Sequence, residues 1–256
     1  MARLPSLRPI PGRSALDLLR IAHRGADAAE KYTEADLRTV AAHGANMVEF
    51  DVNVTADGRL IARHDGPFGA LSSLRRSVDL KLRVSRTFRQ QSSPSVESVI
   101  RSARATGLML YVDIKTLTPT GAADLVAMLR EYEMSELVIL ASSQPEILTL
   151  CQRVAPKIPR SILFRSIRED PISISARARA QFVHPCWELH RSPHRFLEGS
   201  WLQSVRSHGL GVITWHEERE SVLRALCRLG VDGICTDDPE LLTKIASGSD
   251  GQPNPI

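Results

Sequence analysis

The feature that most constrains the fold is a junction that recurs four times: an amphipathic helical run, a glycine, then an apolar run. It is read in RTVAAHGANMVEF, IRSARATGLMLYV, LQSVRSHGLGVIT and LRALCRLGVDGIC, with Gly44, Gly107, Gly209 and Gly230 at the turning points. Glycine takes the left-handed backbone that closes a helix without steric cost, so each junction reads as a helix end feeding a strand. The helical runs keep a 3.6-residue period, as in Val96, Val99, Ile100 and Ala103, or Val222, Leu223, Leu226 and Leu229. Strand candidates begin near Leu19, Met47, Leu108, Leu137, Ser161, Gln181, Leu210 and Val231. Strands alternating with helices over short connections call for a parallel sheet with crossover helices. The expected fold class is α/β, a TIM (β/α)8 barrel, with a doubly wound open sheet as the alternative architecture.

Two segments break the rhythm. Residues 52 to 65 predict a β-hairpin, because Asp57-Gly58 sits between VNVT and RLIA. Residues 66 to 94 have no period and are expected to form a long loop inserted after strand 2, a kind of loop that is often functional. The resulting division is an N-terminal extension over 1–18, a single barrel domain over 19–246 and a disordered tail over 247–256.

Composition limits the function classes. With 256 residues and 43% hydrophobic side chains, one barrel with a sizeable core is affordable in sequence terms. The formal net charge is only +4, the basic residues are scattered and aromatics make up 5%, so nothing supports a nucleic-acid partner. The N-terminal stretch lacks an apolar core for a secretory signal, and no apolar run reaches the roughly 18–20 residues that span a bilayer. No stable membrane insertion is expected. Cys151, Cys186, Cys227 and Cys235 form no C-x-x-C pair and read as free thiols in a reducing compartment, consistent with a cytoplasmic location.

The chemistry concentrates at strand ends. In VEFDVNV, alternation sets Glu49, Asp51 and Asn53 on one face and Val48, Phe50 and Val52 on the other. In LYVDIK, Asp113 and Lys115 share a face. The first strand ends IAHRG, with His23 and Arg24, and the hairpin returns at RHD, with His64 and Asp65. Three carboxylates brought together are costly unless a cation compensates, and an all-oxygen set suits Mg²⁺ or Ca²⁺. Arg24 and Lys115 are candidates to bind phosphate oxygens, and His23 and His64 to move protons near neutral pH. His43, His184, His190, His194, His208 and His216 read as structural or surface residues, with His184 on the sixth strand able to approach the site.

These motifs resemble the glycerophosphodiester phosphodiesterase family. The resemblance rests on AHRG at 22–25 and EFDVNVTADGRLIARHD from Glu49 to Asp65. Weaker support comes from SPSVES at 93–98, YVDIK, and GVDGICTDDPELL from Gly230. The resemblance covers about residues 20 to 246. It implies a barrel, one divalent cation held by Glu49, Asp51 and Asp113, and His23 with His64 as the acid–base pair. It further implies phosphate or substrate binding by Arg24, Lys115 and Trp215, and a small glycerophosphodiester split into glycerol 3-phosphate and an alcohol. The sequence departs from the pattern in three places. After the first motif it reads AEKYT where the family has P-E-N-T, so Glu30 is the candidate counterpart of the glutamate and the asparagine is missing. Asp113 stands where glutamate is usual, and GPFGALSS replaces an R-T-T stretch. Two rival functions follow: a phospholipase D-like or lyase enzyme on lysolipids or sphingolipids, and a non-catalytic barrel that binds a phosphorylated ligand.

Overall fold

A computed structural model of the chain describes residues 18–26, 31–64 and 93–248. Eight parallel strands form a closed ring: β1 (Leu19–Ala22), β2 (Met47–Val54), β4 (Met109–Ile114), β5 (Val138–Ser142), β6 (Arg160–Phe164), β7 (Phe182–Pro185), β8 (Gly211–Thr214) and β9 (Gly233–Thr236). The short β3 (Leu60–Ala62) is the returning arm of the hairpin and pairs antiparallel with β2. Closure is explicit, because β1 pairs in parallel with both β2 and β9. That rules out the doubly wound open sheet. The eight expected strand starts fall within two residues of the observed ones.

The helices that follow the strands are α1 (Glu34–Ala42), α2 (Val96–Thr106), α3 (Pro119–Glu131), α4 (Pro145–Val154), α5 (Pro171–Ala178), α6 (Ser200–Ser207), α7 (Glu220–Leu229) and α8 (Pro239–Ala246). Local sequence sets their ends. Thr33 caps α1 reciprocally with Asp36, Asp170 caps α5, and proline opens α3, α4, α5 and α8 where its missing N–H costs nothing. The four junction glycines all have positive φ. Gly44 carries a second requirement, since a Cβ there would overlap the Thr243 side chain of α8.

Alternation along the strands makes two apolar layers. Val48, Phe50 and Val52 point outward and pack with Val99, Ile100 and Ala103 of α2. Leu19, Ile21, Met47, Met109, Tyr111, Phe182 and Ile213 point inward and fill the barrel. The inner layer is apolar low in the barrel and turns polar near the strands' C-terminal ends, the rim where such barrels carry their sites.

At the hairpin, Ala62 N–H donates to Pro94 O at 2.9 Å, so the chain on either side of the inserted loop is held at one place. Residues 65–92 of that loop, including Asp65, lie outside the described residues, as does Glu30. Of the expected extension and tail, only Leu18, Ser247 and Gly248 are described. No helix among the described residues is long and apolar enough to cross a membrane.

Candidate active site

Neighbouring strands bring the three carboxylates together. Asp51 on β2 is in register with Asp113 on β4, and Glu49 is one pleat below Asp51 on the same inward face. One oxygen from each lies within 4.8 Å of the others, and all three residues are buried, at 1% exposure or less. Among the described residues, Glu49 Oε1 and Asp113 Oδ1 have no hydrogen-bond partner. Buried acceptors without donors are rare, and here they face one point.

Two cations border the cluster. Lys115 Nζ sits 2.8 Å from Asp51 Oδ1 and 2.5 Å from Asp113 Oδ2. The Arg24 backbone N–H donates to Glu49 Oε2 at 2.8 Å, and its Nε lies 3.6 Å from Asp51 Oδ2. To do so Arg24 adopts a left-handed backbone (φ 47°, ψ 36°), followed by Gly25 and Ala26 also at positive φ. For a residue with a side chain that conformation costs about 1–2 kcal/mol, and local strain of this kind concentrates at functional sites. Three carboxylates against two fixed cations leave negative charge uncompensated. Burial pushes the Glu49 carboxyl well above its usual range, reinforced by Asp51 and Asp113 and opposed by the Arg24 N–H and Lys115. Burial also raises Asp113, with Lys115 opposing it, Asp51 reinforcing it and His64 opposing it. Burial works against the Lys115 charge, but Asp113 and Asp51 outweigh it and its proton is held more tightly than usual.

The histidines approach from two sides. His64 follows β3 two residues past its end, and the backbone bond of its neighbour Arg63 to Asp51 brings it to the same rim. Asn53 sets the approach: its Nδ2 donates to Arg63 O at 2.8 Å, while Arg63 N donates to Asp51 O at 2.9 Å. His23, 6% exposed, places Nδ1 2.7 Å from Asp237 Oδ1, just past β9. Its ring stacks on His216 at 4.6 Å between centroids and meets Trp215 edge-on at 5.5 Å. Lys115 Nζ is 5.8 Å from the Trp215 ring centroid, so that tryptophan does line the site.

A polar group lies deeper, under Trp215. His184 on β7 packs 5.0 Å from the Trp215 ring, and its Nδ1 is 2.5 Å from the Tyr111 hydroxyl, which also bonds Ser161 Oγ at 2.8 Å. Burial, then Lys115 and His23, push the His184 imidazole down to about 3, so it is neutral at any physiological pH.

The structure thus gathers His23, His64, Arg24, Glu49, Asp51, Asp113, Lys115 and Trp215 at one end of the barrel. Sequence reasoning missed Asp237, and it read His216 as structural or surface when its ring lies against His23. The available signal was position: both residues come directly after a strand, at the rim. That Asp237 faces His23 depends on β9 closing onto β1, which single-strand patterns do not reveal.

The profile of the glycerophosphoryl diester phosphodiesterase family matches residues 23–241. The chain belongs to that family. As a member it is a phosphoric diester hydrolase. It is 25% identical over 242 residues to a glycerophosphodiester phosphodiesterase of Caldanaerobacter subterraneus subsp. tengcongensis, covering 89% of this chain and 97% of that one. A glycerophosphoryl diester phosphodiesterase structure from Silicibacter pomeroyi DSS-3, named as putative, superposes with TM-score 0.70 at 22% identity, covering 95% and 96% of the two chains. An Oleispira antarctica phosphodiesterase solved with the product sn-glycerol-3-phosphate gives TM-score 0.69 at 20% identity, covering 92% and 100%. These likenesses to solved structures concern the fold.

Proposed function

We propose that this family member hydrolyses small glycerophosphodiesters to glycerol 3-phosphate and an alcohol, with one divalent cation at Glu49, Asp51 and Asp113 and with His23 and His64 as the proton-transfer pair. The observation that carries the reading is the buried carboxylate triad, with oxygens lacking donors, beside two imidazoles. The donor set fits a hard cation, Mg²⁺ or Ca²⁺: all ligands are oxygens, and the local charge is negative before it binds. Held by Glu49, Asp51 and Asp113, such a cation would supply Lewis-acid polarisation of a phosphoryl oxygen and offset the charge of the carboxylates.

The chain's own residues account for the proton traffic. The Asp237 carboxylate accepts a hydrogen bond from His23 Nδ1, which keeps the proton there and leaves the Nε2 lone pair as the basic atom. Nε2 is buried and has no other partner among the described residues. It takes the proton of the nucleophile, either water, which gives glycerol 3-phosphate directly, or the substrate's own 2-hydroxyl, which gives a cyclic phosphate that water opens in a second step. A new P–O bond forms, the P–O bond to the leaving alcohol breaks, and His64 protonates the departing oxygen. The Arg24 side chain and Lys115 bind the phosphate's remaining oxygens and oppose the charge that develops on them. The neutral His184 supports Trp215 from below and takes no proton.

One observation favours a second reading, a lysolipid substrate. Leu189 is 87% exposed and Phe196 37% exposed on the loop after β7, on the same rim as the site. The four cysteines are free thiols, which supports a cytoplasmic location. The test offers glycerophosphocholine and a lysophospholipid with Mg²⁺, Ca²⁺ or EDTA. Turnover of the first that EDTA abolishes supports the main reading, and preference for the lysolipid supports the second. Turnover that survives EDTA removes the carboxylate cluster from the mechanism.

A further inference from the structure

We propose a second, inhibitory metal site at the rim, made by His23, His216 and Asp237, which takes a borderline-soft divalent cation such as Zn²⁺. The three residues come from three adjoining strands: His23 follows β1, His216 follows β8 and Asp237 follows β9. One donor atom from each lies within 4.8 Å of the others. Zinc bonds to nitrogen and oxygen are about 2.0–2.2 Å long, so donors around one tetrahedral ion stand roughly 3.3–3.6 Å apart. The two imidazole rings are stacked with centroids 4.6 Å apart and planes 21° from parallel, so binding turns the His216 ring out of the stack until both nitrogens face one ion.

Two further observations point to a ligand rather than to packing. His23 is 6% exposed, and its Nε2 is buried without a hydrogen-bond partner. His216 Nδ1 is likewise buried and without a partner among the described residues, although its ring lies 4.6 Å from that of His23. Two imidazoles and one carboxylate form a donor set that zinc prefers and Mg²⁺ or Ca²⁺ does not. The neighbouring Glu49, Asp51 and Asp113 form the opposite set, so the two sites sort cations by chemistry.

The inhibitory role rests on the function proposed above; the binding site does not. Zinc on His23 Nε2 removes the lone pair directly. Zinc on Nδ1 displaces the ring proton to Nε2, which then has no lone pair to accept another. Either way the imidazole can no longer take a proton from the nucleophile.

The test titrates Zn²⁺ into the full chain by calorimetry in excess Mg²⁺, with Co²⁺ as a visible-absorbance probe of the coordinating atoms. One zinc per chain is expected, with a nitrogen-containing coordination sphere. His216→Ala and Asp237→Asn should each weaken binding about tenfold or more, while Glu49→Gln leaves it intact. Asp237→Asn keeps the side-chain shape and decides the matter if His216→Ala does not fold. Zinc affinity unchanged in both rim variants, or lost in Glu49→Gln, overturns the site. In parallel, Zn²⁺ should inhibit phosphodiester hydrolysis at saturating Mg²⁺, and His216→Ala should relieve inhibition when each variant is normalised to its own zinc-free rate. Zinc bound at the rim without inhibition overturns the inhibitory role. Absence of any phosphodiesterase activity refutes the proposed function instead and leaves calorimetry to decide the site.

Discussion

Glu49→Gln should stabilise the protein in EDTA and weaken it, relative to wild type, in saturating Mg²⁺ or Ca²⁺. Glu49 is fully buried, and Oε2 already accepts the Arg24 N–H, a bond that the glutamine oxygen preserves. The other oxygen, Oε1, has no donor and faces Asp51 and Asp113. An unsatisfied buried polar atom costs about 1–3 kcal/mol, and an amide NH₂ in its place donates to the neighbouring carboxylates. For a chain of this size each kcal/mol moves Tm by about 2–4 °C, so the metal-free variant should melt about 2–12 °C above metal-free wild type. Wild type should gain about 4.1 kcal/mol from a cation at about a thousand times its Kd, whereas the variant, short of one anionic ligand, gains much less. The order of the two melting temperatures therefore inverts between EDTA and saturating cation. The pH dependence has a definite sign. Because burial raises the folded-state pKa of Glu49, the folded chain binds more protons than the unfolded one at pH above about 4.5. Metal-free wild type should lose stability as pH rises through that window, and the variant should lose less. Differential scanning fluorimetry from pH 5 to 8 reads all of this. A variant that melts below wild type in EDTA, or that gains as much from the cation, refutes the assignment of Glu49 to a cation site.

His23→Ala and His64→Ala should each lower the rate of diester hydrolysis at least about 10²-fold, and wild-type-like turnover in either would end that residue's proton-transfer role. Tyr111→Phe leaves Ser161 and His184 Nδ1 without the shared hydroxyl; urea denaturation should show a loss of about 1–3 kcal/mol, and an unchanged midpoint would deny the network a structural role. Gly44→Ala strains a positive-φ position and drives a methyl into Thr243, so it should cost about 1–3 kcal/mol; Thr243→Ala should recover part of that loss, and no recovery would place the strain in the backbone alone.

The fold was legible because the glycine junctions and the strand alternation are local signals that agree with one another. Glu49, Asp51 and Asp113 were readable for the same reason: period-two alternation fixes which side chains face inward, and parallel register then sets Asp51 beside Asp113. Arg24 was readable as a charge but not as a backbone donor, since its left-handed turn toward Glu49 has no signature in A-H-R-G beyond the following glycine. Asp237 and His216 were not readable as partners of His23. Their proximity comes from the final strand closing onto the first, a relation across the whole chain. The Tyr111–His184 bond was hidden similarly: each residue sits in an apolar run, and only the barrel's curvature turns both inward.

The pairing of His23 with Asp237 joins positions 214 residues apart, at the seam where the ring is sealed. An unfinished chain on the ribosome can own every carboxylate of the triad and still lack the aspartate that holds His23, the proposed base. If His23 acts as proposed, the competence to cut a diester arrives with the strand that completes the cylinder. Catalytic rate then becomes a gauge of ring closure: any lesion that loosens this seam should silence the enzyme before it unfolds the protein.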